Sequence, residues 1–195
     1  MVRYGTEHKQ ATRRRIIEAA GRRFKQDGID GSGIATLMKD AGLTDGAFYA
    51  HFASKDDLVT TVIADQLREQ GARFSAQASE YAGIERIVRE YLSAQHRNDT
   101  GSGCPSAALL EEIGRCTDAA KQAYTDGLLA IADDIAARVA PDDPDSAHVT
   151  TLGVIALMIG TLQLSRALTD RRLGEEMLDE AARTALALLG IEPQT

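Results

Sequence analysis

Apolar residues recur along this chain with the three-and-four spacing of helices, and no Val/Thr/Tyr-rich alternating run of the kind a strand needs is present. Ile16, Ile17, Ala20 and Phe24 share one face of a helix predicted over about 10–27, and Gly28 is placed to end it in the left-handed conformation. Ser32 or Gly33 opens a second, short helix with Ile34, Leu37, Met38 and Ala41, which stops at Gly42. Thr44 caps a third, with body 45–51, whose inward residues Phe48 and Phe52 stand four apart. Ser54 with Asp57 three positions later is a capping box, so a fourth helix starts there and runs through Leu58, Val62 and Leu67 towards Phe74. Further helices are expected at about 83–96, 105–115, 118–139, 145–170 and 174–189, separated by Asn/Gly/Ser and Pro/Asp stretches at 98–103 and 141–144.

Composition strengthens this picture, because Ala, Leu, Glu and Arg abound and only four prolines interrupt the 195 residues. The fold class is therefore all-α, with about nine helices. Two cysteines, Cys104 and Cys116, are too few for a disulfide framework and point to a reducing, cytoplasmic setting. The chain start lacks the apolar core of a signal peptide, and the most apolar stretch, 149–164, is shorter than the roughly 20 residues of a membrane span. No membrane association is expected.

Two short helices joined by the tight Ala41-Gly42-Leu43 turn have the shape of a helix-turn-helix, whose second helix can enter a DNA major groove; an ordinary helical hairpin has the same spacing. Charge bears on the choice. The net charge of −7 argues against a polyanionic partner, but residues 1–25 hold eight basic side chains against two acidic ones, a balance of +6, leaving −13 on the rest. A basic end on an acidic body suits contact with a polyanion, while a solvated helix face with clustered charge gives the same count.

The run from Ile34 to Leu58 settles the reading by resemblance. It contains the Ala41-Gly42-Leu43 turn, the small polar cap Thr44, Gly46, the Phe48-Tyr49 pair, His51, Phe52, and Ser54-Lys55 opening the next helix. This resembles the TetR-family DNA-binding signature over about residues 10 to 60, with Phe24 and Gly28 also in register; beyond that the likeness is one of helix count and order. Asp45 departs from the pattern, since a lysine or other neutral-to-basic residue is commoner there. The resemblance implies a three-helix helix-turn-helix DNA-binding domain at 1–56, with its recognition motif at about 32–51, and an effector-binding and dimerisation domain at 57–195. It also implies a regulator, by default a repressor, that binds a palindromic double-stranded DNA operator as a homodimer and is released by a small-molecule effector. Activators of the same fold exist.

Chemistry assigns roles within that frame. Thr44 offers a hydroxyl and nearby amides to phosphate, Gly46 lets DNA approach closely, and Ala47 suits a thymine methyl. Tyr49 and His51 are expected to reach outward, Asp45 to face the groove, and Lys55, poorly placed for its own helix dipole, to meet a phosphate. Arg13, Arg14 and an arm with Arg3 and Tyr4 are further phosphate or minor-groove candidates.

The helix at 145–170 is apolar nearly all round and carries a strip of small residues. Leu152, Gly153, Ala156 and Gly160, with Leu178, Ala181, Ala185 and Leu188 from the last helix, are the expected dimer interface. Phe74, Tyr91, Tyr124, Met158 and Gln163 are candidates to line an effector pocket, as His96 and His148 are for polar contacts to the effector. Cys104, before Pro105 at a helix start, is a candidate redox or electrophile sensor, an alternative to a small buried hydrophobe; the resemblance supports the former, since some TetR relatives place a reactive cysteine similarly. The chain has no paired Glu-x-x-His, no His-Glu-x-x-His, no Gly-x-Ser-x-Gly, no phosphate-binding glycine loop and no zinc pattern, so no catalysis, metal or cofactor is expected.

Overall fold

A computed structural model describes residues 2–77 and 81–191. Within them the chain forms nine α-helices and one 3-10 helix, and no strand. The first helix, α1 (Val2–Asp27), begins well before the expected start, so Arg3 and Tyr4 lie in helix rather than in a separate arm; their side chains fall outside the described residues. Gly28 ends α1 at φ 81°, its N–H donating to the Phe24 carbonyl at 2.8 Å. The completely buried Ser32 hydroxyl then donates to the Gly28 carbonyl and closes the turn into α2 (Ile34–Asp40).

After α2 comes the 3-10 helix Asp45–Ala50, where a regular α-helix was expected. Six residues between two Gly-bounded or capped neighbours leave little room for the 3.6-residue repeat, and 3-10 geometry is common in such short pieces. Next, α3 (Lys55–Gln77) opens with the expected capping box: the Asp57 N–H donates to the Ser54 hydroxyl at 3.1 Å, and the Ala53 N–H donates to the Asp57 carboxylate at 2.9 Å.

The helix expected at 83–96 is two helices, α4 (Tyr81–Tyr91) and α5 (Ala94–Asn98). Ser93 causes the break, because its hydroxyl accepts from the His96 N–H as an N-cap. Four helices follow: α6 (Pro105–Ile113), α7 (Asp118–Val139), α8 (Pro144–Ala167) and α9 (Arg171–Leu188). By length and composition α8 is apolar enough to cross a membrane. One face of it nevertheless lies in the core, where Thr151, Thr161 and Ser165 are buried beside Val154, Met158 and Leu162.

Two apolar clusters share the interior. The first joins α1, α2, the 3-10 helix and α3, with Leu109 and Ile113 of α6 inserted into it. The second joins α4, α8 and α9 with Cys104 and Ala107 at the start of α6. Arg166 pins the junction of α5, α6 and α8 by donating to three carbonyls, those of His96, Arg97 and Ala107.

Candidate nucleic-acid interface and buried cavity

The turn between α2 and the 3-10 helix is fixed by its backbone. Gly42 sits at φ 68°, its N–H bonds the Lys39 carbonyl, and the Leu43 N–H reaches back to Met38, which together satisfy the last carbonyls of α2. Arg15 of α1 clamps this turn by donating to the Ala41 carbonyl at 2.6 Å. The 3-10 segment is then held by its inner face: Phe48 and Phe52 are essentially inaccessible, with ring centroids 5.8 Å apart.

Its other face is open. Tyr49 is 71% exposed, standing edge-on against Phe48 at 5.2 Å, and Thr44, Asp45 and Gly46 beside it are exposed as well. The Thr44 side chain makes no capping bond, which leaves its hydroxyl available. A Cβ on Gly46 would meet nothing within 4 Å, so the chain's own packing does not demand glycine there. Ala47 is half-buried against the first cluster.

His51 is less outward than its position in sequence suggests. It is half-buried, its Nδ1 has no hydrogen-bond partner, and burial together with the Lys9 and Arg13 charges lowers its pKa, keeping the ring neutral. Lys55 is partly exposed at the first turn of α3. Among the described residues Lys55, Lys9 and Lys39 form no ion pair. Lys9 and Lys39 were not singled out by sequence; only the proximity of Lys9 to His51, invisible in the chain order, marks it.

Other basic residues are engaged inside the molecule. Arg13 lies 4.7 Å over the Phe52 ring and donates to Thr61. Arg14 is held by Glu18, Asp65 and Glu69, whose carboxylates raise its pKa further. Arg23 pairs with Asp27 and Asp40. A phosphate would have to compete with these partners, so the expectation for Arg14 in particular finds no free guanidinium.

A narrow cavity of about 40 Å³ lies between α3, α4, α7, α8 and the start of α6. Phe74, Tyr91 and Met158 line it, as does Cys104. Tyr124 stands one residue back, its hydroxyl donating to Ser106 of the wall at 3.1 Å. Gln163 does not belong: it is exposed on the opposite side of α8 from Met158 and Leu162, because its position falls on the solvent face of that helix. His148 is also elsewhere, paired with Asp133 at 2.9 Å. Sequence reasoning missed Gln70 and Thr151, both on the wall and more than nine-tenths buried. Among the described residues the Gln70 Oε1, the Tyr91 hydroxyl and the Thr151 hydroxyl have no hydrogen-bond partner. Each such group costs about 1–3 kcal/mol while nothing meets it.

His96 organises the cavity's edge. Its Nδ1 lies 2.8 Å from the Tyr91 carbonyl and its Nε2 accepts the Cys104 N–H at 3.0 Å, which fixes a neutral ring with the proton on Nδ1. Burial lowers its pKa in the same sense. Cys104 itself is buried at the N-cap of α6, and both cysteines are free thiols.

The α6 helix also touches the amino-terminal helices at two points. Lys25 of α1 donates to the Gly103 carbonyl, with burial and the nearby Arg73 lowering its pKa to about 8. Glu112 accepts the backbone N–H groups of Ile29 and Asp30, at 2.7 and 3.3 Å, in the turn between α1 and α2.

The expected dimer residues divide. Gly153 and Ala156 are exposed, Leu152 and Gly160 half-exposed, and Leu188 is 54% exposed. Leu178, Ala181 and Ala185 are corrected to internal core, since they face α4 and α8 of the same chain and are at most 7% exposed. Val149 at 77% and Leu164 at 57% extend the exposed α8 stripe at both ends.

Comparison with known proteins agrees with this architecture. Residues 16–62 match the family described as bacterial regulatory proteins, tetR family. The HTH-type transcriptional regulator TtgR of Pseudomonas putida is 44% identical over 69 residues, 35% of this chain and 32% of its own length. The chain thus spans about a third of the length of the curated relatives it matches first. Among solved structures, reduced NemR of E. coli superposes with a TM-score of 0.77 at 18% identity, covering 91% of this chain and 97% of that one. The regulator FadR of Bacillus subtilis in complex with stearoyl-CoA gives 0.62 at 16% identity, covering 91% and 98%. Residues 16–62 thus carry a tetR-family segment, and the chain as a whole shares the fold of these regulators.

Proposed function

We propose that the protein is a DNA-binding transcription regulator, a repressor that holds a two-fold symmetric operator as a homodimer in the cytoplasm and lets go when a small molecule enters the cavity. One observation carries the reading: Tyr49, Thr44, Asp45 and Gly46 are presented to solvent on a segment whose opposite face is anchored by two buried phenylalanines, with Lys9 near His51 and Lys55 at the start of α3, both without an ion pair among the described residues. Rigid backing with an exposed aromatic, hydroxyl and cationic face suits groove and phosphate contact. Residues 1–56 would then be the DNA-binding domain and 57–195 the effector and dimerisation domain. The α8 stripe from Val149 through Gly153, Ala156 and Gly160 to Leu164, with Leu188, would form the dimer contact. Repression follows if bound dimers occlude a promoter.

The effector half rests on the cavity and on the braces from α6. A molecule that displaced the start of α6 would act on the α1–α2 turn through Glu112 and on α1 through Gly103 and Lys25, while α3 runs without interruption from Lys55 to the cavity wall at Gln70. Two ligands that favour different arrangements of these helices weaken each other reciprocally. A second reading, electrophile or redox sensing, is favoured by the Cys104 thiol lying on the cavity wall at the start of α6. Electrophile-triggered release that persists in Cys104→Ser would remove it.

The test is selection of binding sequences from random duplexes, followed by mobility shifts at several salt concentrations. Selected sites should be palindromic. Tyr49→Ala and Lys55→Ala should each weaken binding while the dimer survives, with Lys55→Ala flattening the salt dependence by about one unit of slope. Full affinity in both variants would refute the interface.

A further inference from the structure

Three helices aim polar groups without partners into one apolar space. Gln70 comes from α3, Tyr91 from α4 and Thr151 from α8; they are 6%, 7% and 0% exposed, and the Gln70 Oε1 and the two hydroxyls have no hydrogen-bond partner among the described residues. The Cys104 thiol lies beside the Tyr91 hydroxyl, and a thiol is a weak partner. A protein interior seldom leaves three such groups around one cavity unless something else meets them.

The wall offers no free charge. Among the described residues Asp134 brings the one carboxylate on the wall, and it is taken by Arg138 and by the Ser75 hydroxyl. Among the described residues no lysine, arginine or histidine lines the space. The remaining surface is aliphatic and aromatic, with Ile87, Val88, Val154 and Met158 among its members. An anion or cation brought here would be buried without a counter-charge, at a cost that binding does not recover.

Size and access narrow the occupant further. The volume of about 40 Å³ is far below the 300–1,000 Å³ typical of drug-sized pockets and below the roughly 150 Å³ of a cavity that takes benzene, so a single ring is the largest occupant to consider and enters only if the walls move apart. The way in is an open cleft that shares Gln70, Phe74, Ile87, Tyr91 and Cys104 with the cavity. Its rim carries Arg73 and Glu90, whereas the one carboxylate on the cavity wall is already paired.

We propose that the cavity receives a small uncharged molecule of single-ring size, with an apolar body and one or two hydroxyl or carbonyl groups that bond to Gln70, Tyr91 and Thr151. Its role as effector rests on the regulator reading above; its chemistry rests on the wall alone.

Three probes of nearly equal size separate the possibilities on the full chain by ligand-observed NMR: benzyl alcohol, ethylbenzene and benzoate. Benzyl alcohol should bind, ethylbenzene more weakly, and benzoate not at all. Tyr91→Phe and Thr151→Val should each weaken benzyl alcohol roughly five- to tenfold, about what one hydrogen bond contributes, and leave ethylbenzene unchanged or tighter. Thr151→Val breaks no bond in the chain and should melt no lower than the parent, which guards against a folding failure. Benzoate binding as well as benzyl alcohol, binding by none of the probes, or parental benzyl alcohol affinity in both variants overturns the proposal. Repeating the titration with a selected DNA duplex separates the two claims. Benzyl alcohol that binds as expected yet leaves DNA affinity unchanged supports the site and removes its role in release.

Discussion

The recognition region and the cavity region are built to opposite standards. Around Gly42 the turn carbonyls are bonded, Phe48 and Phe52 are sealed, and Ser54 and Asp57 complete a reciprocal cap. Around the cavity Gln70, Tyr91 and Thr151 keep hydrogen-bonding capacity unused. The contrast teaches that this chain satisfies its polar groups where one shape is presented and leaves them unmet around the cavity, as the proposed ligand would require. His51, whose Nδ1 is also unbonded, is the exception in the first region, and it stands on the recognition segment itself.

Substitutions can break or sharpen this contrast. The largest effect is expected at Phe48→Ala, which empties a fully enclosed site and should cost about 3–5 kcal/mol in chemical denaturation. Glu112→Ala removes the acceptor of two backbone N–H groups and should cost about 1–3 kcal/mol, with DNA affinity becoming less sensitive to any cavity ligand. Gly42→Ala forces a side chain into the left-handed region against Arg15 and should cost about 1–2 kcal/mol, read in the same denaturation series. Thr151→Val should do the reverse, raising stability by about 1 kcal/mol because it deletes an unmet hydroxyl. An equal loss there would erase the contrast between the two regions.

Acid should act weakly on both regions. His96 and His51 have folded pKa values below the unfolded value near 6.5, so the unfolded chain binds more protons as pH falls through that value. Their contribution is complete above about 6.5 and is lost progressively below it, down to the folded values. Melting temperature against pH should therefore fall on acidification, and His96→Gln should flatten the part due to the cavity edge.

Much of the fold was legible because its signals are local. Helix α7 begins after Thr117, whose hydroxyl accepts from Ala120, and ends where the Pro/Asp stretch was expected to end it. The Ser54–Asp57 box and the Gly42 turn were equally readable, since each depends on residues within a few positions of one another. Ser93 carried a similar signal for the α4–α5 break, but the apolar residues just before it, Tyr91 and Leu92, masked it. The recognition segment's 3-10 winding was not readable, because six residues at helical spacing fit either repeat.

Charge was a partly misleading guide. Arg14, Arg15, Arg23 and Lys25 count towards the basic amino-terminal stretch, yet each is bound to a carboxylate or a carbonyl within the chain. The division of α9 was hidden for a different reason: Leu178 and Leu188 are chemically alike, and only the placement of α4 makes one internal and the other exposed. The cavity left least trace, since a void is an absence of atoms between elements and has no residue pattern of its own.

The exposed stripe on α8 has large side chains at Val149 and Leu164 and little more than backbone at Gly153, Ala156 and Gly160 between them. Those ends are separated by roughly 22 Å at 1.5 Å per residue. Two such helices laid across each other would touch at a smooth middle with few knobs to lock their angle, and so behave as a pivot. A few degrees of rotation there, carried along the length of each subunit, would alter the separation of the two Tyr49 side chains far more than it alters the contact itself.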